Sequence, residues 1–242
     1  MLLSLLFAAV VGGLVFGLWY PYPYNKISGG TELFVILITA DVVCGPLLTF
    51  VLLNPSKPVM ELRRDIGLVV SLQILALGYG VFSMAEARPV FLAFEGDRFR
   101  VVSKVDIDWE GLEPGVAIPK LSFTGPVLTG TSLLDSTDPE FSSSIQAAIN
   151  GIHPSYRPAR WVDYRHQAQK VLAIARPFQE LRKAYPERDD ELGKMLAEFN
   201  VDENDIGFLP LQSYSNDDWV VFVSMANAVP IGFMPIDGWV GQ

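Results

Sequence analysis

Cysteine is nearly absent: Cys44 is the only one in 242 residues, so no intrachain disulfide can form and a cysteine-built metal site is excluded. Histidine is almost as scarce. His153 and His166 stand thirteen positions apart and match no H-E-x-x-H or comparable ligand spacing, so a surface or structural role is expected for each. The chain has no phosphate loop, no G-x-G-x-x-G, and no G-x-S-x-G elbow or S-x-x-K beside a plausible base. Basic residues are also in deficit, 18 against 27 acidic ones. The imbalance falls after position 87, where 14 basic and 22 acidic residues leave −8. An acidic region without a basic stripe argues against nucleic acid and against docking on anionic lipid. No catalytic constellation, cofactor or metal is expected, and the chain does not read as an enzyme.

Long apolar runs are abundant, and they crowd into the first 87 positions. Leu33 to Leu53 (LFVILITADVVCGPLLTFVLL) has 21 residues with Asp41 as its one charged side chain. About 20 apolar residues cross a bilayer's hydrocarbon core, so the run reads as a transmembrane helix, with a soluble core helix as the alternative. A charge near mid-membrane costs about 2.5–3.5 kcal/mol, so Asp41 should face protein. Gly45-Pro46 is expected to interrupt the helix, because Pro46 donates no bond to the carbonyl of Val42. Leu2 to Leu18 and Ile66 to Ala85 are the other two runs. The first ends in an aromatic cluster, Trp19-Tyr20-Pro21-Tyr22-Pro23-Tyr24, suited to the membrane interface. A cleaved signal peptide is disfavoured there, since no basic segment precedes the run and no small-x-small site follows it. Ala9, Gly13 and Gly17 form a small-residue stripe that would let another helix approach.

The predicted spans are therefore about 2–19, 33–53 and 66–85. The 54–65 loop carries Lys57, Arg63 and Arg64, against Lys26 alone in the first loop. The positive-inside rule makes the 54–65 loop and the amino terminus cytoplasmic, with everything after Arg88 outside. Asp41 then lies level with Gly13, Gly78 and Tyr79. Two roles stay open for it: pinning its own three helices through Tyr79, or meeting a polar group on a partner's membrane helix. A proton relay is less suited, because no second carboxylate lies at that depth. Gln73, near Thr49 and Ser71, suits an interhelical hydrogen bond.

Residues 88–242 have ordinary soluble composition. PVFLAF and RFRVVSKV flank Glu95-Gly96-Asp97 and predict a hairpin. Residues 108–136 are turn-rich, with extended pieces AIPKLSF and GPVLTG. Asp138 is expected to cap a short helix with Pro139 at its first position, running to Asn150-Gly151. Helical spacing covers Trp161 to Ala175, Phe178 to Tyr185 and Asp189 to Phe199. DIGFLPLQS, DWVVFVSMA and AVPIGFMPI read as three closing strands. The expectation is an α+β domain with an antiparallel sheet and helices on one face. Asp202, Glu203 and Asp205 read as a solvated acidic turn, and Arg157, Arg160 and Arg165 as a basic cluster set for ion pairs.

The run SGGTELFVILITADVVCGPLLTFVLLNPSK, then ELRRDIGLVVSLQILALGYG, then ARPVFLAFEGDRFRVVS resembles the type IV pilin accessory protein family (the TfpX/TfpZ type). The match spans about residues 19–104. The resemblance implies a bacterial inner-membrane protein, without enzymatic activity, that influences stability, assembly or retraction of a cognate type IV major pilin. It further implies a periplasmic 88–242 domain after a membrane region of 1–87. A pilin before assembly is a single apolar helix bearing a glutamate near its start, with a periplasmic head. A three-helix bundle with a small, polar face could shelter that helix, while the acidic domain touches the head. On this reading Asp41, Gly45, Pro46, Gln73 and Tyr79 meet the partner in the membrane, and Arg88 and Pro89 set the angle of the outer domain. A membrane-tethered periplasmic ligand-binding or sensor protein is the alternative.

Overall fold

The computed structural model describes residues 9–52, 58–112, 120–214 and 217–240; within the second long helix, the side chains of residues 41–42, 44–49 and 51–52 lie outside the described set. The chain divides into two units, Met1–Arg88 and Pro89–Gln242.

The first unit is helical. α1 covers Ala9–Trp19, and its last stretch, Val15–Trp19, widens into π geometry. A short α2 (Tyr24–Ile27) leads into α3 (Gly30–Leu52) and α4 (Val59–Glu86). α3 continues through Gly45 and Pro46, so the expected interruption does not end the helix; a proline removes one backbone bond, and the flanking turns carry the helix on. α4 begins at Val59, so the second half of the expected 54–65 loop is helical. Pro58 precedes it with extended geometry, which stops the helix from reaching further back.

Val11, Val15, Trp19, Tyr20 and Met84 form the buried cluster of this unit, joined by Phe34 and Leu37. The Tyr20 hydroxyl donates to the carbonyl of Met84 at 3.1 Å. Close approach occurs at glycines the sequence reading passed over. A Cβ on Gly12 would stand 3.1 Å from the Phe34 ring, and one on Gly80 would collide with Leu37. Ala9, Gly13 and Gly17 face outward instead. Along α4, Leu68, Ile74, Leu75 and Phe82 are all more than half exposed. This is the helix among the described residues whose length and composition allow it to cross a membrane, and 28 residues give about 42 Å of rise.

The second unit is a mixed sheet with helices. β1 (Pro89–Phe94) and β2 (Phe99–Ser103) form the predicted hairpin, with Phe94 opposite Phe99 and Ala93 opposite Arg100. β3 (Val127–Thr131) and β4 (Trp161–Val162) extend the sheet on one side. On the other side lie β6 (Ile206–Gln212), β7 (Trp219–Ser224) and β8 (Pro230–Met234), while β5 (Arg176–Pro177) pairs with β6. The order is β4-β3-β1-β2-β6-β7-β8. The expected antiparallel sheet is corrected here: β1–β3 and β2–β6 are parallel. The β1–β2 hairpin sits in the middle, and each of its outer neighbours arrives after a long connection that returns the chain to the same end. β1, β6 and β7 are buried almost throughout, as expected for strands whose apolar runs are continuous rather than alternating.

α7 (Phe178–Ala184) and α8 (Asp189–Phe199) pack Phe178, Leu181, Leu192 and Met195 onto Phe208, Val220 and Phe222. Both helices lie where periodicity placed them. Two other helical expectations need correction. α5 spans Phe141–Ile149, later than expected, because the Asp138 carboxylate accepts from the Glu140 N–H at 2.9 Å and closes a turn ahead of the helix. The stretch expected as one helix from Trp161 to Ala175 opens as strand β4, passes through a 3-10 turn at Tyr164–His166, and becomes helical only over α6 (Ala168–Ile174). Pairing of Trp161 and Val162 with Thr131 and Gly130, and the Trp161 ring 4.6 Å from Phe91, outweigh the local helical pattern.

Candidate functional site

The residues expected to meet a partner do not form one described surface. Asp41, Gly45 and Pro46 lie on α3, with side chains outside the described residues. Gln73 is half-buried on α4, whereas Tyr79 is 73% exposed. Six positions separate them, which puts them about 120° apart around the helix. The glycine that meets α3 at this level is Gly80, against Leu37, so Tyr79 faces out from the bundle. Arg88 donates to the carbonyl of Ala85 at 2.6 Å and ties the chain to the last turn of α4. Pro89 is buried and opens β1. Arg88 therefore belongs to the helical unit and Pro89 to the sheet unit.

The sheet unit contains an open groove of about 640 Å³. It lies between the chain after β2, the segment after α5, and the end of β6 with its following turn. Arg100 forms the floor. Its guanidinium is almost buried, with Nε 3.3 Å from Glu95 Oε2. A second nitrogen donates to Gln212 Oε1 at 2.9 Å, and the group lies 5.8 Å from the Tyr156 ring. Glu95 Oε2 also accepts the Ser155 N–H at 3.2 Å. A buried charge needs a partner and hydrogen bonds, and the hairpin register supplies both: Arg100 sits on β2 opposite Ala93, within reach of the turn residue Glu95. Gly96 holds that turn at φ +82°, a backbone conformation unfavourable to residues with a Cβ.

Arg100 is neutralised by Glu95, so the groove takes its sign from Asp106, Asp108, Glu110 and Asp217 along its walls. His153 adds no compensating charge near neutrality, because burial and the Arg100 charge hold its imidazole below the usual histidine value. Burial, with Asp106 nearby, pushes the Tyr156 hydroxyl up to about 12, so it remains a neutral donor. Trp109 is 42% exposed and Tyr214 is 87% exposed at the rim. A negative, aromatic-edged cleft suits a cationic side chain on an extended or helical polypeptide.

Asp106 carries a pH dependence with a defined sign. Burial raises its carboxyl above the ordinary value, opposed by the Ser103 N–H and by Arg100. A carboxyl raised on folding stabilises the fold only while neutral, so that contribution is lost as pH rises through the folded-state value. Asp106→Asn keeps an acceptor for the Ser103 N–H, which stands 3.0 Å from Asp106 Oδ2. It should raise the thermal midpoint at pH 7 and leave it unchanged near pH 3. A midpoint lower than wild type at pH 7 would overturn this assignment.

Sequence reasoning missed this groove. The available signal was Arg100, a charge inside the apolar run FRVVS, which calls for a buried counter-charge. The basic cluster Arg157, Arg160 and Arg165 separates into three local contacts, with Ser144, Glu140 and Asp163 respectively. Glu203 of the acidic turn pairs with Arg182 at 2.8 Å.

No solved structure matches the chain. A family profile described as Fimbrial assembly protein FimB matches residues 1–29. The chain is 36% identical over 227 residues to the fimbrial assembly protein of serogroup I of Dichelobacter nodosus, covering 92% of this chain and 87% of that one. The serogroup E1 protein of the same organism is 33% identical over 226 residues, with the same coverage. A protein of serogroups C1 and C2 is 48% identical over 106 residues, 44% of this chain and 81% of its own. Similarity at this level over most of both chains extends through the helices and the sheet unit alike, and the chain belongs to the fimbrial assembly protein family.

Proposed function

We propose that the chain is a non-enzymatic accessory protein of pilus assembly. It binds a cognate type IV major pilin in the bacterial inner membrane and adjusts its stability, assembly or retraction. The observation that carries this reading is the similarity, over 92% of the chain, to relatives named for fimbrial assembly. The long apolar α4 with its exposed leucines supports membrane residence. α3, with 23 residues, has about 35 Å of helical rise and is long enough to span as well. In this topology three helices cross, Arg63 and Arg64 at the start of α4 stay cytoplasmic, and the sheet unit is periplasmic. Asp41 offers a polar contact for the pilin helix within the membrane.

The groove of the sheet unit also meets one requirement of a ligand-binding protein. Its open shape suits a polypeptide segment better than a small molecule, because small-molecule sites enclose most of their ligand. The reading is tested by extracting the full-length protein from piliated cells and scoring co-eluted pilin, with and without Asp41→Ala. Pilin should co-elute, and Asp41→Ala should lower its amount at least tenfold. Absence of pilin in the eluate, together with photo-crosslinks from positions 41 and 45 that never capture it, would sink the proposal.

A further inference from the structure

α5 is an amphipathic helix held in an unusual way. Its polar side is anchored: Arg160 pairs with Glu140 at 2.7 Å, ahead of its first turn, and Arg157 donates to Ser144 at 3.3 Å. Its apolar side is only partly covered: none of its nine residues is fully buried, and Phe141, Ala147 and Ala148 are half-buried. Ile145 is 46% exposed and Ile149 74%. A helix ordinarily forms in a protein because its apolar face is covered. Here Phe141, Ala147 and Ala148 take the covered side, and Ile145 and Ile149 are left outside it.

The end of α5 connects that face to the groove. The Ile152 N–H bonds to the Ala147 carbonyl at 2.8 Å, and the Gly151 N–H to Ala148 at 3.0 Å. With Gly151 at φ +89°, this is a Schellman closure, which folds the residue after the glycine back beside the last turn. That residue is Ile152, 37% exposed, and it lines the groove together with Trp109 and the carboxylates Asp106, Asp108, Glu110 and Asp217. Exposed isoleucines therefore stand on the last turns of α5 and, three residues on, in an acidic cleft.

We infer that this composite surface, the exposed Ile145, Ile149 and Ile152 with the adjoining acidic groove, docks an amphipathic segment of the fimbrial subunit that carries lysine or arginine next to apolar side chains. The identity of the partner rests on the function proposed above; the chemistry of the segment rests on the surface. The isoleucines call for apolar anchors, and the carboxylates call for cations. Arg100 offers no competing attraction for an anion, being neutralised by Glu95. The same carboxylates argue against an anionic bilayer as the occupant, since acidic groups are repelled from its surface potential.

The test uses the full-length protein in cells that make the fimbrial subunit. A photo-reactive phenylalanine analogue replaces Ile149, an exposed position where a new side chain disturbs no core contact. The adduct should contain the fimbrial subunit. Its yield should fall at least tenfold in a Glu110→Lys, Asp217→Lys background, and by less than twofold with Glu198→Lys, a charge reversal on the exposed face of α8. Ile149→Gln, which stays compatible with a helix, should weaken subunit co-elution at least fivefold. If the subunit co-elutes with wild-type protein but the adducts at 149 contain only lipid, the inference fails while the proposed function stands. It fails in the same way if Glu198→Lys lowers the yield as much as the groove reversals do. If no subunit co-elutes with wild-type protein, the function itself fails and the inference with it.

Discussion

Glu95→Ala should lower the stability of the sheet unit by about 3–5 kcal/mol, the usual loss when one partner of a buried ion pair is removed and the other charge stays behind. The side chains of Arg100 and Glu95 are only 7% and 9% exposed, so water cannot replace the missing carboxylate. Gln212 cannot replace it either: its Oε1 already accepts from both Arg98 and Arg100, each at 2.9 Å. The Ser155 N–H would lose its acceptor in the same step. Urea unfolding of the detergent-solubilised protein, followed by tryptophan fluorescence, measures the loss. At about 2–4 °C per kcal/mol for a domain of this size, the thermal midpoint should drop by roughly 10 °C. Glu95→Leu combined with Arg100→Met should recover most of the loss, because an apolar pair of similar volume has no charge to bury. A single-variant loss below about 1 kcal/mol would mean that the guanidinium reaches water, contrary to the floor described here. The consequence for function is direct, since without Glu95 the groove would gain a free cation at its base and its attraction for basic segments would fall.

Phe222→Ala carries the second large effect, again about 3–5 kcal/mol. Phe222 is fully buried on β7, directly opposite Phe208 on β6 and Gly232 on β8. Its ring lies 5.8 Å from that of Phe178 at the start of α7. Truncation would open a cavity where sheet and helices meet, in a close-packed core that relaxes only partly. Phe222→Leu should cost less, because most of the volume remains. The same unfolding measurement reports both variants, and equal losses for Ala and Leu would show that shape rather than volume dominates at this position. Phe222 does not line the groove, so partner capture at Ile149 should survive Phe222→Leu.

The contrast between these two sites shows what a sequence can reveal. The Phe222 core was readable: WVVFVS and IGFLPLQ are apolar runs too short for membrane helices, and Leu192, Met195 and Leu196 repeat at helical spacing. The hairpin at Glu95-Gly96-Asp97, α7, α8 and the three closing strands follow from such local patterns. So do the apolar segments of the first 87 residues, the acidic balance of the remainder, and the resemblance that led to the fimbrial assembly family. Period, turn chemistry and composition act over a few residues, and they survive without knowledge of the fold.

Tertiary structure alone decided which elements meet. Parallel pairing of β1 with β3 and β2 with β6 depends on how long connections return, and no local pattern encodes that. Trp161 and Val162 became a strand because β3 offered them an edge. Gly12 and Gly80, rather than Gly13 and Gly17, became the contact points of the helices, since every face of an apolar helix looks alike until a neighbour selects one. The groove arose in the same way, from Arg100 and Glu95 near the hairpin, His153 and Tyr156 after α5, and Asp217 before β7. Groups far apart in the chain act on one another only after folding brings them together, because Coulomb interaction falls with distance.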